Sequence, residues 1–173
     1  NMMNSDNKNK NDTGLSETAM RKGFKELLAE GFHEITGVNI GDMQLDSFEE
    51  YKDLLVEWNK IMNLTAIEDE REISVKHFLD SLSVIPWIKH GSRIIDVGTG
   101  AGFPGIPLKI VLDDIDLVLI DSLEKRTRFL NTVIERLNLK SISAIHARAE
   151  DLGKDPEYRE SFDIAVARAV APL

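Results

Sequence analysis

The chain has 173 residues, which is enough for one domain with a substantial core. It contains no cysteine, which excludes disulfides, zinc thiolates and cysteine nucleophiles and suits the reducing cytoplasm, where we expect the protein to act. The net charge of −9 argues against a general nucleic-acid binder but is compatible with a local basic face. No apolar run approaches the length of about 18 residues that a membrane span requires, so we expect no membrane-spanning segment. We also expect no secretory signal.

The first part of the chain is polar and then helical. Residues 1–15 predict a disordered tail. Residues 16–90 predict a helical segment, because apolar residues recur at helical spacing along it. The first such run covers Leu15–Phe32. It predicts a helix with one apolar side.

Two further helices are predicted before residue 90. Ser47 and Glu50 have the spacing of a capping box, which predicts a helix start there. Trp58 lies on the apolar side of this helix, and we expect it to fasten the helical segment to the rest of the protein. A third helix is predicted over Ile73–Ile85, ending before Pro86.

From residue 91 onward the pattern changes to short β-branched runs separated by helical stretches. This alternation predicts βαβ units and a doubly wound parallel sheet, with ligand sites at the carboxyl ends of the strands. We assign residues 91–173 to this Rossmann-like domain. The predicted strands are Arg93–Val97, Asp116–Asp121, Ser143–Ala147 and Phe162–Ala169, and the predicted helices are Gly105–Leu112 and Ser122–Leu139.

A glycine-rich loop follows the first predicted strand. The stretch IIDVGTGAGFPGIPL, Ile94–Leu108, has four glycines within eight positions and leads into a helix. Glycine permits positive φ and lets a ligand approach the backbone, while the helix start offers unpaired N–H groups. A nucleotide-like ligand suits this environment better than a structural turn does.

Two cofactor classes compete for this loop. The register Gly98-x-Gly100-x-x-Phe103 fails the dinucleotide fingerprint at its last position. The register Gly100-x-Gly102-x-x-Gly105 satisfies it, with an acidic residue about 20 positions further on. NAD therefore stays open on the pattern alone.

Three details favour S-adenosylmethionine (AdoMet), which carries a sulfonium and an ammonium but no phosphate. Gly98, rather than Gly100, directly follows the strand. Pro104 and Pro107 remove N–H donors that a pyrophosphate could use. Asp96 places a carboxylate beside the loop, which suits a cation. The stretch Asp96–Gly102 resembles the first motif of class I AdoMet-dependent methyltransferases.

The ends of the other strands carry further candidate site residues. Asp121 ends the second strand, where it could accept hydrogen bonds from ribose hydroxyls or cap the next helix. Ala149 and Glu150 follow the third strand, near where an adenine would lie, although Glu150 could equally be an exposed loop acid. Arg168 lies near the end of the fourth, where an apolar run predicts either a site role or a structural ion pair.

Six motifs occur in order along the chain: WNKIMNLTAI, HFLDSL, IIDVGTGAGFPGIPLKI, DSLEKRTRFL, RAED and FDIAVARA. Together they resemble the bacterial ribosomal RNA small subunit methyltransferase G family, also called glucose-inhibited division protein B. This resemblance implies AdoMet-dependent methylation of guanine N7 in 16S ribosomal RNA, at the position conventionally numbered 527. It implies AdoMet contacts at Gly98, Phe103, Ala149, Glu150 and Arg168.

Members of that family continue well past residue 173, so we expect a fragment that is truncated after the fourth strand and lacks the remaining sheet strands. A free strand edge would invite aggregation, and we expect the fragment alone to bind AdoMet poorly and to methylate nothing. The resemblance implies 16S ribosomal RNA or the small ribosomal subunit as the partner. We expect no membrane association and a monomer.

No catalytic residue can be named from the sequence, which agrees with the implied chemistry. Guanine N7 has a free lone pair, so positioning and electrostatics can suffice without a general base. His77 and Asp80 have helical spacing but no third metal ligand nearby, so we expect no metal site. The alternatives are an NAD-dependent oxidoreductase and a non-catalytic AdoMet-binding or ribosome-associated module.

A short basic stretch is a further candidate for RNA contact, beside the less favoured one around Trp58, Asn59, Asn63 and Thr65. Lys125, Arg126 and Arg128 cluster at the start of the long predicted helix. They could face phosphates, or they could form an ordinary solvated helix face.

Overall fold

The sheet is built from four short strands of mostly apolar residues, all parallel, in the order β3-β2-β1-β4. A computed structural model of the chain describes residues 22–62 and 72–167. Crossover helices connect the strands, as the alternating pattern predicted. The strands are β1 (Arg93–Val97), β2 (Asp116–Asp121), β3 (Ile142–His146) and β4 (Ile164–Val166).

Six α-helices and one 3₁₀ turn surround or precede this sheet within the described residues. No helix in these ranges is long and apolar enough to cross a membrane. The first three helices form the helical segment, and the others belong to the α/β part. They are α1 (Phe24–Thr36), α2 (Asp42–Met62), α3 (Glu72–Leu82), the 3₁₀ turn (Ile85–Trp87), α4 (Gly105–Val111), α5 (Glu124–Arg136) and α6 (Ala149–Leu152).

The predicted capping box at Ser47 is wrong, because α2 begins five residues earlier. The Ser47 hydroxyl lies inside the helix and donates to the carbonyl of Met43 at 3.1 Å. The side chain of Gln44 instead accepts a hydrogen bond from the N–H of Gly41 at 3.0 Å. Gln44 therefore makes the backward half of a capping box around Gly41.

The third helix is shorter than its apolar pattern predicted. It ends at Leu82 rather than at Ile85, and a 3₁₀ turn containing Pro86 follows. The Ser83 hydroxyl donates to the carbonyl of Asp80 at 2.6 Å, which satisfies a carbonyl at the helix end. Proline disfavours the α conformation in the residue before it, so the chain leaves the helix ahead of Pro86.

Other elements also begin or end at residues different from those predicted. α1 begins at Phe24, whereas the first part of the predicted helix and the predicted tail lie outside the described residues. β4 covers three residues of the predicted Phe162–Ala169, and Arg168 lies outside the described residues. The boundary predicted between residues 90 and 91 stays a prediction.

One hydrophobic core runs from the helical segment into the α/β part. Tyr51 of α2 stacks on Phe78 of α3 with 5.3 Å between ring centroids, and it also faces Phe103 at 5.9 Å. Trp58 packs against Phe129 of α5 at 5.6 Å, which confirms the predicted fastening role of this tryptophan. We call these side chains the aromatic cluster: Phe24, Phe48, Tyr51, Trp58, Phe78, Phe103 and Phe129.

The two tryptophans of the chain offer a matched test of this packing. We expect Trp58→Ala to lower the free energy of unfolding by about 2–4 kcal/mol, because it removes part of the interface with α5. Trp87→Ala should change it by less than about 0.5 kcal/mol, since that side chain is 76% exposed. Denaturant titrations of both variants provide the measurement. Equal effects would contradict the assigned role of Trp58.

Candidate functional site

The carboxyl ends of the parallel strands meet at one edge of the sheet, as predicted. The register pairs Val97 of β1 with Ile120 of β2, and Asp121 with His146 of β3. The glycine-rich loop, residues 98–104, leaves β1 at this edge and enters α4. The N–H of Thr99 donates to the carbonyl of Ile120 at 3.0 Å, so the loop starts against the end of β2.

Asp96 supports the loop from inside the protein. Its side chain is fully buried, and its Oδ2 accepts hydrogen bonds from the Thr99 hydroxyl at 2.8 Å and from the Gly105 N–H at 2.9 Å. Burial raises the pKa of Asp96 to about 7; the two hydrogen bonds oppose this shift and the charge of Asp121 adds to it. The carboxylate thus joins the two ends of the loop, and the predicted contact between Asp96 and a bound cation stays a prediction.

The glycines of this region divide into two kinds. At Gly98 and Gly100, φ is positive, and an added Cβ would meet no atom within 4 Å. At Gly105 an added Cβ would lie 2.4 Å from Leu119 and 2.7 Å from Asp96. Gly98 and Gly100 therefore leave open space beside the backbone, whereas Gly105 permits α4 to pack on the sheet.

Asp121 lies at the end of β2, where it contacts both the loop and the next helix. Its Oδ2 accepts from the Gly100 N–H at 2.8 Å, and its Oδ1 accepts from the Leu123 N–H at 2.9 Å. The guanidinium of Arg126 lies 3.6 Å from Oδ2. Asp121 is not the N-cap of α5, which is Leu123; its side chain instead accepts from the N–H of that N-cap residue, and it also faces the glycine loop.

The ring of Phe103 points away from the open side of the loop. It is 6% exposed and packs against His77 at 5.4 Å, in addition to its contacts within the aromatic cluster. The family-implied contact of Phe103 with AdoMet stays a prediction. The residue anchors the loop to α2 and α3.

The remaining predicted site residues lie near the same edge or outside the described residues. Ala149 and Glu150 are exposed and begin α6, three and four residues after β3 ends. The N–H of Ala147 donates to the carbonyl of Asp121 at 3.0 Å, which holds this connection beside β2. Arg168 lies outside the described residues.

The predicted basic stretch on α5 makes contacts within the chain. Lys125 donates to the carbonyl of Met62 at 3.0 Å, which ties α5 to the end of α2. Arg128 pairs with Glu124 at 2.9 Å, and Arg126 lies beside Asp121. The side chain of Arg128 is 66% exposed, and exposed pairs of this kind contribute little. A phosphate-binding role of this stretch stays a prediction.

His77 and Asp80 take part in no metal cluster that the structure describes. Within residues 22–62 and 72–167, no group of three or more His, Asp or Glu side chains could hold an ion. The ring of His77 lies beside Phe103 instead. Its role is to pack against the loop.

Three residues near the site were missed in the sequence. Thr99 carries the hydroxyl that bonds Asp96, Tyr51 reaches the loop from α2, and Leu123 exposes 41% of an apolar side chain beside Asp121. Thr99 lies between the predicted residues Gly98 and Gly100, and Leu123 lies two positions after Asp121, which is a usable signal. Tyr51 gave none, because its spacing is that of an ordinary core position in an amphipathic helix.

Comparison with solved structures gives the class of the fold. The structure superposes on protein-L-isoaspartate O-methyltransferase with a TM-score of 0.52 and 11% identity, covering 81% of this chain and 47% of that one. A coclaurine N-methyltransferase bound to N-methylheliamine and SAH gives 0.51 and 16%, covering 84% and 49%. At these identities the likeness concerns the fold alone, which is that of class I methyltransferases.

Sequence comparison gives the family. A family model described as rRNA small subunit methyltransferase G (GidB) matches residues 44–173. The chain therefore belongs to the rRNA small subunit methyltransferase G family, as its motifs predicted.

Two curated relatives illustrate the extent of the match. The ribosomal RNA small subunit methyltransferase G of Acetivibrio thermocellus is 62% identical over 151 residues, which cover 87% of this chain and 62% of the relative. That of Alkaliphilus oremlandii is 51% identical over 152 residues, covering 87% and 63%. The chain thus spans about three fifths of the length of these relatives.

The raised pKa of Asp96 predicts a defined pH dependence of stability. Its folded pKa exceeds the unfolded value of 3.8, so its contribution to stability is fully present below that value and is lost as the pH rises through about 7. Within this window the loss is at most about 1.4 kcal/mol per pH unit. Asp96→Asn should remove this slope, because asparagine does not titrate while its carbonyl can still accept from Thr99 and Gly105.

The measurement is denaturant unfolding of both proteins at intervals from pH 4.5 to 7.5. The stability of the Asn variant relative to the wild type should rise with pH. Asp113→Asn, in an exposed turn, is the control and should follow the wild-type curve. Parallel curves for the wild type and the Asp96 variant would show that Asp96 is ionised throughout the range.

Proposed function

We propose that this chain forms the AdoMet-binding part of a methyltransferase that acts on guanine N7 of 16S ribosomal RNA, at the position given above. The observation that carries the proposal is the open backbone at Gly98 and Gly100 beside the Asp121 carboxylate. Family membership supports the RNA substrate. The small ribosomal subunit would be the partner, and the cytoplasm would be the place of action.

The residues at the sheet edge suit AdoMet. The loop offers backbone without side chains at Gly98 and Gly100, so a bulky ligand can lie against it. The Asp121 carboxylate would take the ribose hydroxyls, and Leu123 would give the adenine an apolar surface. Ala149 and Glu150 follow β3 on the same edge, and Glu150 would accept from the adenine amino group.

NAD is the less favoured cofactor. Asp96 argues against a pyrophosphate less strongly than the sequence indicated, because its carboxylate is buried under the loop and its pKa lies near 7. Gly105 permits close packing of α4 on the sheet. The last glycine of a dinucleotide fingerprint has the same role, so Gly105 does not argue against NAD. Family membership therefore carries the preference for AdoMet. A non-catalytic module has no observation in its favour.

The chemistry requires little from the chain beyond binding and orientation. AdoMet supplies an electrophilic methyl group on its sulfonium, and the neutral guanine offers a lone pair at N7. The chain's own residues would hold the two reactants in line, which alone can lower the barrier substantially. No described side chain needs to remove a proton before attack.

The proposal is tested by calorimetry and by mapping of the methylated base. The longer protein that contains this chain should bind AdoMet and not NAD. The longer protein should methylate small-subunit RNA, and cleavage at N7-methylguanine should map the product to one guanine. Binding of NAD without AdoMet would overturn the cofactor assignment. Methylation of another atom would overturn the N7 assignment.

Gly98→Ala tests whether the open space at the loop is ligand space. An added methyl group would protrude into the space that we assign to the cofactor, so AdoMet affinity should fall at least tenfold, about 1.4 kcal/mol or more. Gly91→Ala is the matched control, because Gly91 has nearly the same φ, +71° against +67°, and equally open surroundings. Both variants should lose about 1–2 kcal/mol of stability to backbone strain, but only the first should lose affinity.

Asp121→Ala separates the site role from the helix-start role. We expect AdoMet binding to weaken by about 1–3 kcal/mol, as is typical when hydrogen bonds to a charged group are lost. Stability should fall as well, because the Leu123 N–H loses its acceptor. Glu124→Ala, at the exposed first turn of α5, is the control for helix stability alone. A loss of stability with unchanged AdoMet affinity would leave Asp121 only its structural role.

A further inference from the structure

The side chain of Tyr51 joins the helical segment directly to the glycine-rich loop. Its hydroxyl donates a hydrogen bond to the carbonyl of Ala101 at 2.5 Å, between residues 50 positions apart in the chain. The side chain is fully buried, so water does not replace this contact. A hydrogen bond in such surroundings is costly to leave unmade.

The loop is shaped to receive this hydroxyl. At Gly102, φ is +105°, and an added Cβ would lie 2.6 Å from the Tyr51 hydroxyl and 2.7 Å from Ile106. Any other residue at position 102 would displace the hydroxyl or the start of α4. Gly102 is thus matched to Tyr51, whereas Gly98 and Gly100 face open space.

The Tyr51 ring is also held by side chains that do not belong to the loop. It stacks on Phe78 at 5.3 Å and lies 6.5 Å from Phe129, and Phe103 packs against it from the loop side. Because Phe78 and Phe129 lie on α3 and α5, they limit how far the ring can follow a movement of the loop. The loop is therefore held by Asp96 from β1, by Asp121 from β2 and by Tyr51 from the helical segment.

We propose that Tyr51 is a positioning residue through which the helical segment sets the affinity of the glycine-rich loop for AdoMet. This rests on the proposed function, in that AdoMet is taken to bind along Gly98 and Gly100. The Ala101 carbonyl belongs to the peptide group between Ala101 and Gly102, so fixing it restricts Gly102 directly and Gly100 through the backbone of Ala101. Without the hydroxyl the loop samples other conformations, and the observed dissociation constant rises as the binding-competent fraction falls.

The test is Tyr51→Phe, which removes the hydroxyl and keeps the ring. AdoMet and S-adenosylhomocysteine should each bind about three- to tenfold more weakly in calorimetry, the range that corresponds to one lost hydrogen bond. Hydrogen exchange of the peptide that spans the loop should be faster in the ligand-free variant than in the ligand-free wild type. This second readout depends on no ligand and no activity.

Phe48→Leu is the matched control for a general loosening of the aromatic cluster. Phe48 is fully buried and packs on Phe78 at 5.1 Å, but it has no ring contact with Phe103. The Phe48→Leu substitution should lower the unfolding midpoint at least as much as Tyr51→Phe does. Its affinity for AdoMet and its loop exchange should stay within twofold of the wild type.

Each outcome separates this proposal from the proposed function. Wild-type protein that binds no AdoMet overturns both. Wild-type protein that binds AdoMet, with unchanged affinity in Tyr51→Phe, overturns the role of Tyr51 alone. If Tyr51→Phe and Phe48→Leu weaken AdoMet binding equally, Tyr51 acts only as an ordinary core residue. Weakening and faster loop exchange confined to Tyr51→Phe support the proposal.

Discussion

The buried carboxylate of Asp96 is the constraint on which the site depends. A carboxylate inside a protein is stable only if it is hydrogen-bonded or protonated, and Asp96 receives its two hydrogen bonds from both ends of the loop that follows it. These hydrogen bonds to a buried side chain thus fix the path of the loop. Burial of Asp96 and closure of the loop are one event, because neither is favourable without the other.

The register of the sheet places the other site residues at the carboxyl ends of the strands, next to this loop. Parallel pairing of β1 with β2 brings Asp121 to the loop, where it accepts from Gly100. The aromatic cluster then brings α2 against the outer part of the loop at Ala101. The helix α2 is therefore part of the site's construction, although it ends at Met62, well before the loop in the chain.

Element type and the ends of the first two strands could be read directly from the residues, whereas the ends of the later strands and of the helices, and the roles of side chains, were read less well. The runs at Arg93–Val97 and Asp116–Asp121 match observed strands, because short runs of apolar and β-branched residues favour a buried strand. The start of α2 was missed because Ser47 and Glu50 fit a cap pattern that also occurs inside helices. Gln44 supplies the cap instead. The residue at which a helix begins depends on which turn the surrounding structure buries.

The sequence by itself determined the class of fold, the family, and the loop and strand ends at which a ligand would bind, since these follow from local patterns of apolar residues and glycines. Only the tertiary structure decided which way each side chain of that loop region points. It turned Asp96 and Phe103 inward, left Gly98 and Gly100 open, and brought Tyr51 to Ala101. The physical reason is that burial and hydrogen bonding between distant residues are properties of the packed core, and no spacing along one segment encodes them.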